Sequence, residues 1–177
     1  MRRLILLRHA KTETDAPSGK DQDRRLDDRG RVDAAEIAGW LVRNRLVPDA
    51  ALISTAVRAQ QTWEIISGVI PAELMPLQVA HLPELYGAGA AQLLQEIHAV
   101  ADQPRRLLVV GHNPGLQELA LGLTCNGTAA ERKPLNGNMP TSGLAVIDFA
   151  IRDWADAAFG GGKLSHFVSP KILREAS

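Results

Sequence analysis

Cysteine is almost absent from this chain, and its single copy excludes two kinds of chemistry. With only Cys125 among 177 residues, no internal disulfide can form, so the fold must depend on its hydrophobic core. Cys125 lies in a segment rich in glycine and asparagine, with no second cysteine or histidine at metal-ligand spacing. Neither a zinc site nor a thiolate nucleophile is therefore expected.

An excess of charge is also missing, because 20 Lys and Arg residues balance 20 Asp and Glu residues. Nucleic-acid binding usually rests on a broad positive field, so no nucleic-acid partner is expected. Any preference for anionic ligands must come from arginines placed locally around a site.

The chain has no apolar run long enough to cross a bilayer, since its longest runs are strand-length pieces such as residues 107–110. No charged start with an apolar run and a cleavage site precedes the first predicted strand. The expectation is a soluble cytoplasmic protein without a membrane partner. Aromatic residues make up only 4% of the chain, and its tryptophans are expected to pack rather than to form a ligand cage: Trp40, Trp63 and Trp154.

What the chain does contain is an alternation of strand and helix patterns within a length that fits one domain. Strand patterns occur at residues 3–7, 50–53, 77–82, 106–110, 143–150 and 163–168. Helical spacing of apolar residues occurs at residues 28–46, with Asp27 or Asp28 as N-cap, and at residues 56–69, 89–101 and 114–123. Loops are predicted at residues 11–25 and 125–141. The sequence therefore predicts an α/β fold, a three-layer α/β/α sandwich with a mostly parallel central sheet.

Two histidines and two arginines follow three of the predicted strands. Arg8 and His9 come directly after the first strand. Arg58 follows the second strand, and His112 follows the fourth. Because ligands bind at the carboxyl ends of the strands in such sheets, these four side chains are expected to converge on one site.

The four side chains suit phosphoryl transfer, in which positioning and electrostatic stabilisation supply most of the catalysis. The guanidinium groups of Arg8 and Arg58 offer paired donors to phosphate oxygens and stay charged. A neutral His9 imidazole can attack phosphorus and form a phosphohistidine that water then hydrolyses. The arginines are expected to lower the pKa of His9 and keep it neutral, while His112 can donate to a phosphate oxygen.

With these residues in place, the whole chain resembles the histidine phosphatase superfamily, and within it the bacterial phosphohistidine phosphatases of the SixA type. The shared motifs, as they stand here, are LILLRHAK (4–11), DRRLDDRGR (23–31), LISTAVRAQQT (52–62), LPELY (82–86), VVGHNPGL (109–116), MPTSGLAV (139–146) and SPKIL (169–173). The resemblance implies a phosphoglycerate mutase-like fold and a single histidine phosphatase domain over residues 1–177. It also implies a metal-independent phosphatase without a cofactor.

Carried over by position, the resemblance makes Arg8, His9, Arg58 and His112 the catalytic phosphate pocket, with His9 as the nucleophile. It puts Glu84 where relatives that act on phosphate esters keep a catalytic acid. Two features depart from the superfamily pattern: Ala10 replaces the usual glycine after the nucleophile, and the insertion that follows Glu84 is short. A short insertion suggests a small lid and an open site, which favours a phosphorylated protein as substrate.

On the sequence alone, three functions remain open. The first is a protein phosphohistidine phosphatase whose partner is a phosphorylated protein, such as a histidine phosphotransfer domain. The second is a small-molecule phosphomonoesterase for a phosphorylated metabolite, which would need Glu84 as general acid. The third is a non-catalytic phosphate-binding module. A metal-dependent hydrolase with His9 and His112 as ligands is disfavoured, because the rim offers arginines where such a site needs carboxylates.

Other polar residues have structural interpretations. Asn113 is expected to cap the helix that begins at Pro114. The stretch 21–31 alternates in charge and is expected to be a solvated lead into the first helix. No role in the site is expected for the remaining histidines, which are His81, His98 and His166.

Overall fold

A computed structural model, which describes residues 1–176, contains one six-stranded sheet. Its strands are β1 (Arg2–Arg8), β2 (Ala50–Ser54), β3 (Gln78–Leu82), β4 (Arg106–Gly111), β5 (Leu144–Phe149) and β6 (Gly162–Val168). Their order across the sheet is β3-β2-β4-β1-β5-β6. The first four in this order run parallel, whereas β5 pairs antiparallel with both β1 and β6, so only β5 runs in the opposite direction. The prediction of a mostly parallel sheet is confirmed.

Helices cover both faces of this sheet, which confirms the three-layer sandwich. They are α1 (Asp28–Arg43), α2 (Val57–Val69), α3 (Ala90–His98), α4 (Gly115–Leu123), α5 (Ala129–Arg132) and α6 (Pro170–Ala176). Alternate residues of β1 show the layering: Ile5 and Leu7 pack with α1 and α2, whereas Leu4 and Leu6 pack with α3 and α4. Each of these four side chains is almost fully buried, and such burial contributes about 1.5–3 kcal/mol per residue.

The sequence predicts an N-cap residue for two helices, and only one of these residues caps its helix. Asp27 caps α1, because its carboxylate accepts from the amide of Gly30 at 2.7 Å. Asn113 does not cap α4, so that expectation is wrong: its side chain donates to the carbonyl of Met139 at 2.9 Å instead. A hydrogen bond to a residue 26 positions away thus takes the place of the expected cap on the amides of α4.

The segment 125–141 is more ordered than the loop expected from its composition. Thr128 accepts from the amide of Glu131, and Glu131 accepts in return from the amide of Thr128. This reciprocal capping box starts α5, and a 3-10 turn at Lys133–Leu135 follows it. The Thr-x-x-Glu spacing was the sequence signal for this short helix.

The register of the parallel strands brings the candidate site residues to one edge of the sheet. Arg8 lies opposite Gly111 in the pairing of β1 with β4, so His9 and His112 follow neighbouring strands at the same level. Ser54 ends β2 on the other side of β4 and leads into α2, which carries Arg58 in its first turn. Within residues 1–176, no helix is long and apolar enough to span a membrane.

Gly30 allows α1 to pack against the segment that follows His9, and this contact can be tested. A Cβ atom at Gly30 would lie 2.0 Å from the main-chain oxygen of Lys11, two residues after His9. We expect Gly30→Ala to lower the free energy of unfolding by about 1–3 kcal/mol in urea denaturation, since the backbone must move.

Gly68→Ala is the matched control, because Gly68 is an exposed residue of α2 and a Cβ there meets nothing within 4 Å. This variant should gain about 0.5–1 kcal/mol from helix propensity. Equal changes in the two variants would contradict the close approach of α1 to Lys11.

Candidate active site

His9 is held at the end of β1 with one ring nitrogen occupied. It is 6% exposed, its amide donates to Gly111 at 3.1 Å, and the amide of Ser142 donates to its carbonyl at 3.1 Å. Its Nδ1 lies 2.8 Å from the carbonyl oxygen of Ala10, so Nδ1 carries the proton and donates there. The Nε2 lone pair is thereby left available to attack an electrophile.

Burial keeps both histidines neutral. The pKa of His9 is lowered from 6.5 to about 3, chiefly by desolvation of the ring and also by the charges of His112, Arg58 and Arg8, while the hydrogen bond to Ala10 opposes the shift. Desolvation, followed by the charge of Arg58, lowers the pKa of His112 to about 4. The two ring centroids are 5.2 Å apart. A neutral His9 is the form that can act as a nucleophile.

His112 is oriented by Ser54, a residue that the sequence reasoning did not select. The Ser54 hydroxyl is fully buried and lies 2.7 Å from Nε2 of His112. The same hydroxyl accepts from the amide of Ala56 at 3.3 Å, so its own proton is free to be donated to Nε2. That leaves the proton of the neutral ring on Nδ1, which is buried and has no hydrogen-bond partner within residues 1–176.

Arg8 and Arg58 are anchored through their terminal nitrogens. Nη1 of Arg8 donates to the carbonyl of Met139 at 3.1 Å. Arg58 donates from Nη1 to the main-chain oxygen of Asp21 at 2.8 Å and from Nη2 to its carboxylate at 3.0 Å. The Nε atoms of both arginines are buried without a partner in the described part of the chain.

Three N–H donors around His9 thus share one property. Each is buried, and none has an acceptor within residues 1–176: Arg8 Nε, Arg58 Nε and His112 Nδ1. A buried donor without an acceptor is costly, so this arrangement suits a ligand that brings several acceptor oxygens. A phosphoryl group in transfer carries three equatorial oxygens and a phosphorus atom open to in-line attack.

Glu84 is at the same edge of the sheet but stands apart from this cluster. It is an exposed residue of the 3-10 turn Pro83–Leu85 that follows β3. Within residues 1–176 its carboxylate makes no hydrogen bond or ion pair with another side chain. Of the predicted site residues, four are therefore brought together and Glu84 remains at the rim.

Asp21 and Tyr86 also contact the pocket, although the sequence reasoning missed them. The stretch 21–31 is not only a solvated lead into α1, because the carboxylate of Asp21 pairs with buried Arg58. The Tyr86 ring lies edge-on to His112, with centroids 5.5 Å apart, and its hydroxyl donates to Asp21 at 2.5 Å. Tyr86 belongs to a recognisable motif, LPELY, whereas no local pattern distinguishes Asp21 from its acidic neighbours.

The other histidines and Cys125 lie outside the pocket. Nε2 of His98 lies 2.6 Å from the carbonyl of Ala157, His166 packs edge-on against Trp40, and His81 is exposed. Cys125 is exposed and free. Among the described residues, no group of three or more His, Cys, Asp or Glu side chains is arranged to hold a metal ion.

The low pKa of both histidines leads to a prediction about pH. An unfolded histidine takes up a proton near pH 6.5, but in the folded protein the rings of His9 and His112 should remain neutral at pH 5.5. Stability should then fall as the pH is lowered from about 6.5 toward 4, by up to about 1.4 kcal/mol per pH unit for each histidine. Nitrogen-15 NMR of the imidazoles measures the protonation directly. A titration midpoint above pH 6 for either ring would disprove the desolvated environment.

Comparison with known proteins identifies the family. The family model of the histidine phosphatase superfamily (branch 1) matches residues 4–99. An uncharacterized protein of Mycobacterium tuberculosis strain H37Rv is 39% identical over 168 residues, which cover 93% of this chain and 100% of the relative.

Two solved structures assigned as candidate SixA phosphohistidine phosphatases are similar along nearly their whole length. The one from Agrobacterium tumefaciens is 30% identical with a TM-score of 0.78, covering 96% of this chain and 99% of that chain. The one from Nakamurella is 29% identical with a TM-score of 0.81, covering 96% of each chain. With its match to the family model, its sheet order and these similarities, the chain belongs to the histidine phosphatase superfamily and is SixA-like.

Proposed function

We propose that this phosphatase hydrolyses phosphohistidine in a protein substrate, through a covalent phosphohistidine intermediate on His9. The observation that carries the proposal is the free Nε2 of a neutral, buried His9 beside three buried N–H donors without acceptors. In this proposal the catalytic residues are His9, His112, Arg8 and Arg58, and the last three also bind the phosphoryl oxygens. Glu84 is a catalytic residue only for ester substrates.

In the first step, the Nε2 lone pair of His9 attacks phosphorus while the bond to the leaving group breaks. The electron pair of that bond goes to the leaving atom, which takes a proton from solvent if it is a nitrogen and from Glu84 if it is an ester oxygen. Arg8, Arg58 and the Nδ1–H of His112 donate to the three equatorial oxygens and stabilise their charge. Because other nitrogens of the same three side chains are already bonded to protein oxygens, little reorganisation is needed as the charge develops.

In the second step, water attacks the phosphorus of phosphorylated His9. The P–N bond breaks, its electron pair returns to Nε2, and inorganic phosphate leaves with a proton released from the water. His9 is thereby restored to its neutral form, which its low pKa favours. The fixed charges that stabilise the phosphoryl group belong to arginines, so the proposed reaction uses no metal ion and no cofactor.

The choice of phosphohistidine as substrate rests on two lines of support. Relatives of similar length carry the name phosphohistidine phosphatase, and one of them is 30% identical to this chain. Glu84 is exposed and, within residues 1–176, makes no hydrogen bond or ion pair with the pocket residues, which suits a leaving imidazole because such a group needs less help from an acid. A phosphorylated histidine phosphotransfer domain is the kind of partner that fits this proposal.

A second candidate function is hydrolysis of a small phosphate monoester. Its support is the position of Glu84 just beyond the carboxyl end of β3, at the same sheet edge as His9 and His112. An alkoxide leaving group needs a proton, and a carboxyl group at the rim could supply it.

The nucleophile is tested by His9→Ala. We expect loss of acid-labile phosphate on the protein and a fall in turnover on the order of 10⁴-fold or more, because the covalent route is removed. His81→Ala is the matched control, since His81 is exposed on β3. Turnover by wild type should also survive a strong chelator. Hydrolysis by His9→Ala at the wild-type rate would overturn the mechanism, whereas binding of phosphate without any turnover by wild type would leave a phosphate-binding role.

The substrate class is tested by Glu84→Gln, with phosphohistidine peptides, sugar phosphates and nucleotides as substrates. Turnover of the phosphohistidine peptide should change by no more than about threefold, whereas ester hydrolysis should fall by about 10²-fold or more. Glu73→Gln, another exposed glutamate in a 3-10 turn, is the control. A large loss with the phosphohistidine peptide would favour the monoesterase instead.

A further inference from the structure

Asp21 lies between the buried phosphate pocket and the solvent. Its side chain is 52% exposed, while that of its partner Arg58 is 7% exposed. One carboxylate oxygen accepts from Arg58 at 3.0 Å and from the Tyr86 hydroxyl at 2.5 Å. The other oxygen accepts from Nε of Arg24 at 2.9 Å. Asp21 therefore contributes a carboxylate at the mouth of a pocket whose other charged side chains, Arg8 and Arg58, are cations.

This carboxylate is a fixed negative charge. The hydrogen bond from Tyr86, and then those from Arg24 and Arg58, hold the pKa of Asp21 well below its usual range. The group therefore stays ionised at any working pH and cannot serve as a proton donor. Its influence on a substrate must act through charge.

In-line transfer determines which part of a substrate lies next to Asp21. His9 is buried and attacks phosphorus from inside, so the leaving group must lie on the opposite side, toward the mouth. Asp21 and Arg24 also line a pocket of about 270 Å³ formed by the long loop before α1. With phosphorus in line with His9, a bulky leaving group would extend from the mouth past the Asp21 carboxylate.

We propose that Asp21 is a specificity-determining residue for the leaving group. Its charge disfavours substrates that carry an anion next to the phosphoryl group and favours neutral or cationic leaving groups, such as an imidazole. Repulsion between two like unit charges a few ångströms apart weakens binding by about fivefold even in water, so the discrimination should be about fivefold or more. The carboxylate also pairs with Arg24, which would otherwise attract an anionic leaving group. This inference deepens the proposed function and rests on its assignment of His9 as nucleophile.

Two phosphates that differ by one carboxylate test the inference: 2-phosphoglycerate and glycerol 2-phosphate. Their dissociation constants can be measured by NMR titration of the His9 and His112 imidazoles, whether or not either compound is hydrolysed. Wild type should bind glycerol 2-phosphate at least about fivefold more tightly than 2-phosphoglycerate. Asp21→Asn, which keeps the side-chain size and one acceptor oxygen, should lose this discrimination.

Two further variants separate charge from structure. Asp23→Asn removes the same charge two residues away, where the carboxylate accepts from Ser18, and should leave the ratio unchanged. Arg24→Gln removes the cation paired with Asp21 and should increase the discrimination, which provides a second test if Asp21→Asn fails to fold. If Asp21 only anchored the loop, both phosphates would weaken equally and the ratio would stay constant.

An unchanged ratio in Asp21→Asn, no increase in Arg24→Gln, or no binding of either phosphate by wild type would overturn the inference. Failure of the proposed function has a different signature. Wild type would then discriminate between the two phosphates as expected but would not dephosphorylate a phosphohistidine peptide.

Discussion

The parallel pairing of β1 with β4 is the constraint on which the site depends. Because Arg8 lies opposite Gly111, the chain leaves both strands at the same level, and His9 and His112 approach within 5.2 Å between ring centroids. A shift of this register by one residue would turn the apolar side chains of β1 toward the opposite layers and separate the two rings. The core and the site are therefore held by the same register.

The four side chains of the pocket share one hydrogen-bonding arrangement. In each of His9, His112, Arg8 and Arg58, at least one nitrogen is tied to a protein oxygen and another is left free. The tied nitrogen fixes the orientation of the ring or guanidinium group. The free nitrogen either has a lone pair open to an electrophile or is a donor whose desolvation has already occurred during folding. Such preorganisation allows a few polar groups to stabilise a developing charge strongly.

Asp21 shows how the long loop before α1 takes part in this arrangement. Its main-chain oxygen and its carboxylate bind the two terminal nitrogens of Arg58, so the loop and the pocket are linked through a buried cation. Tyr86 reaches the same carboxylate from the turn after β3. Two segments that are distant in sequence thus close the mouth of the pocket around one ionised group.

The sequence by itself determined the fold class, the alternation of strands and helices, and the set of Arg8, His9, Arg58 and His112. These features depend on local periodicity and on strand ends, which a parallel sheet gathers at one edge. Only the tertiary structure decided that Asn113 bonds to Met139 rather than capping α4, that Ser54 orients His112, and that Asp21 meets Arg58. The physical reason is that hydrogen bonds between residues 26 to 58 positions apart depend on how the elements pack, and no local spacing encodes that packing.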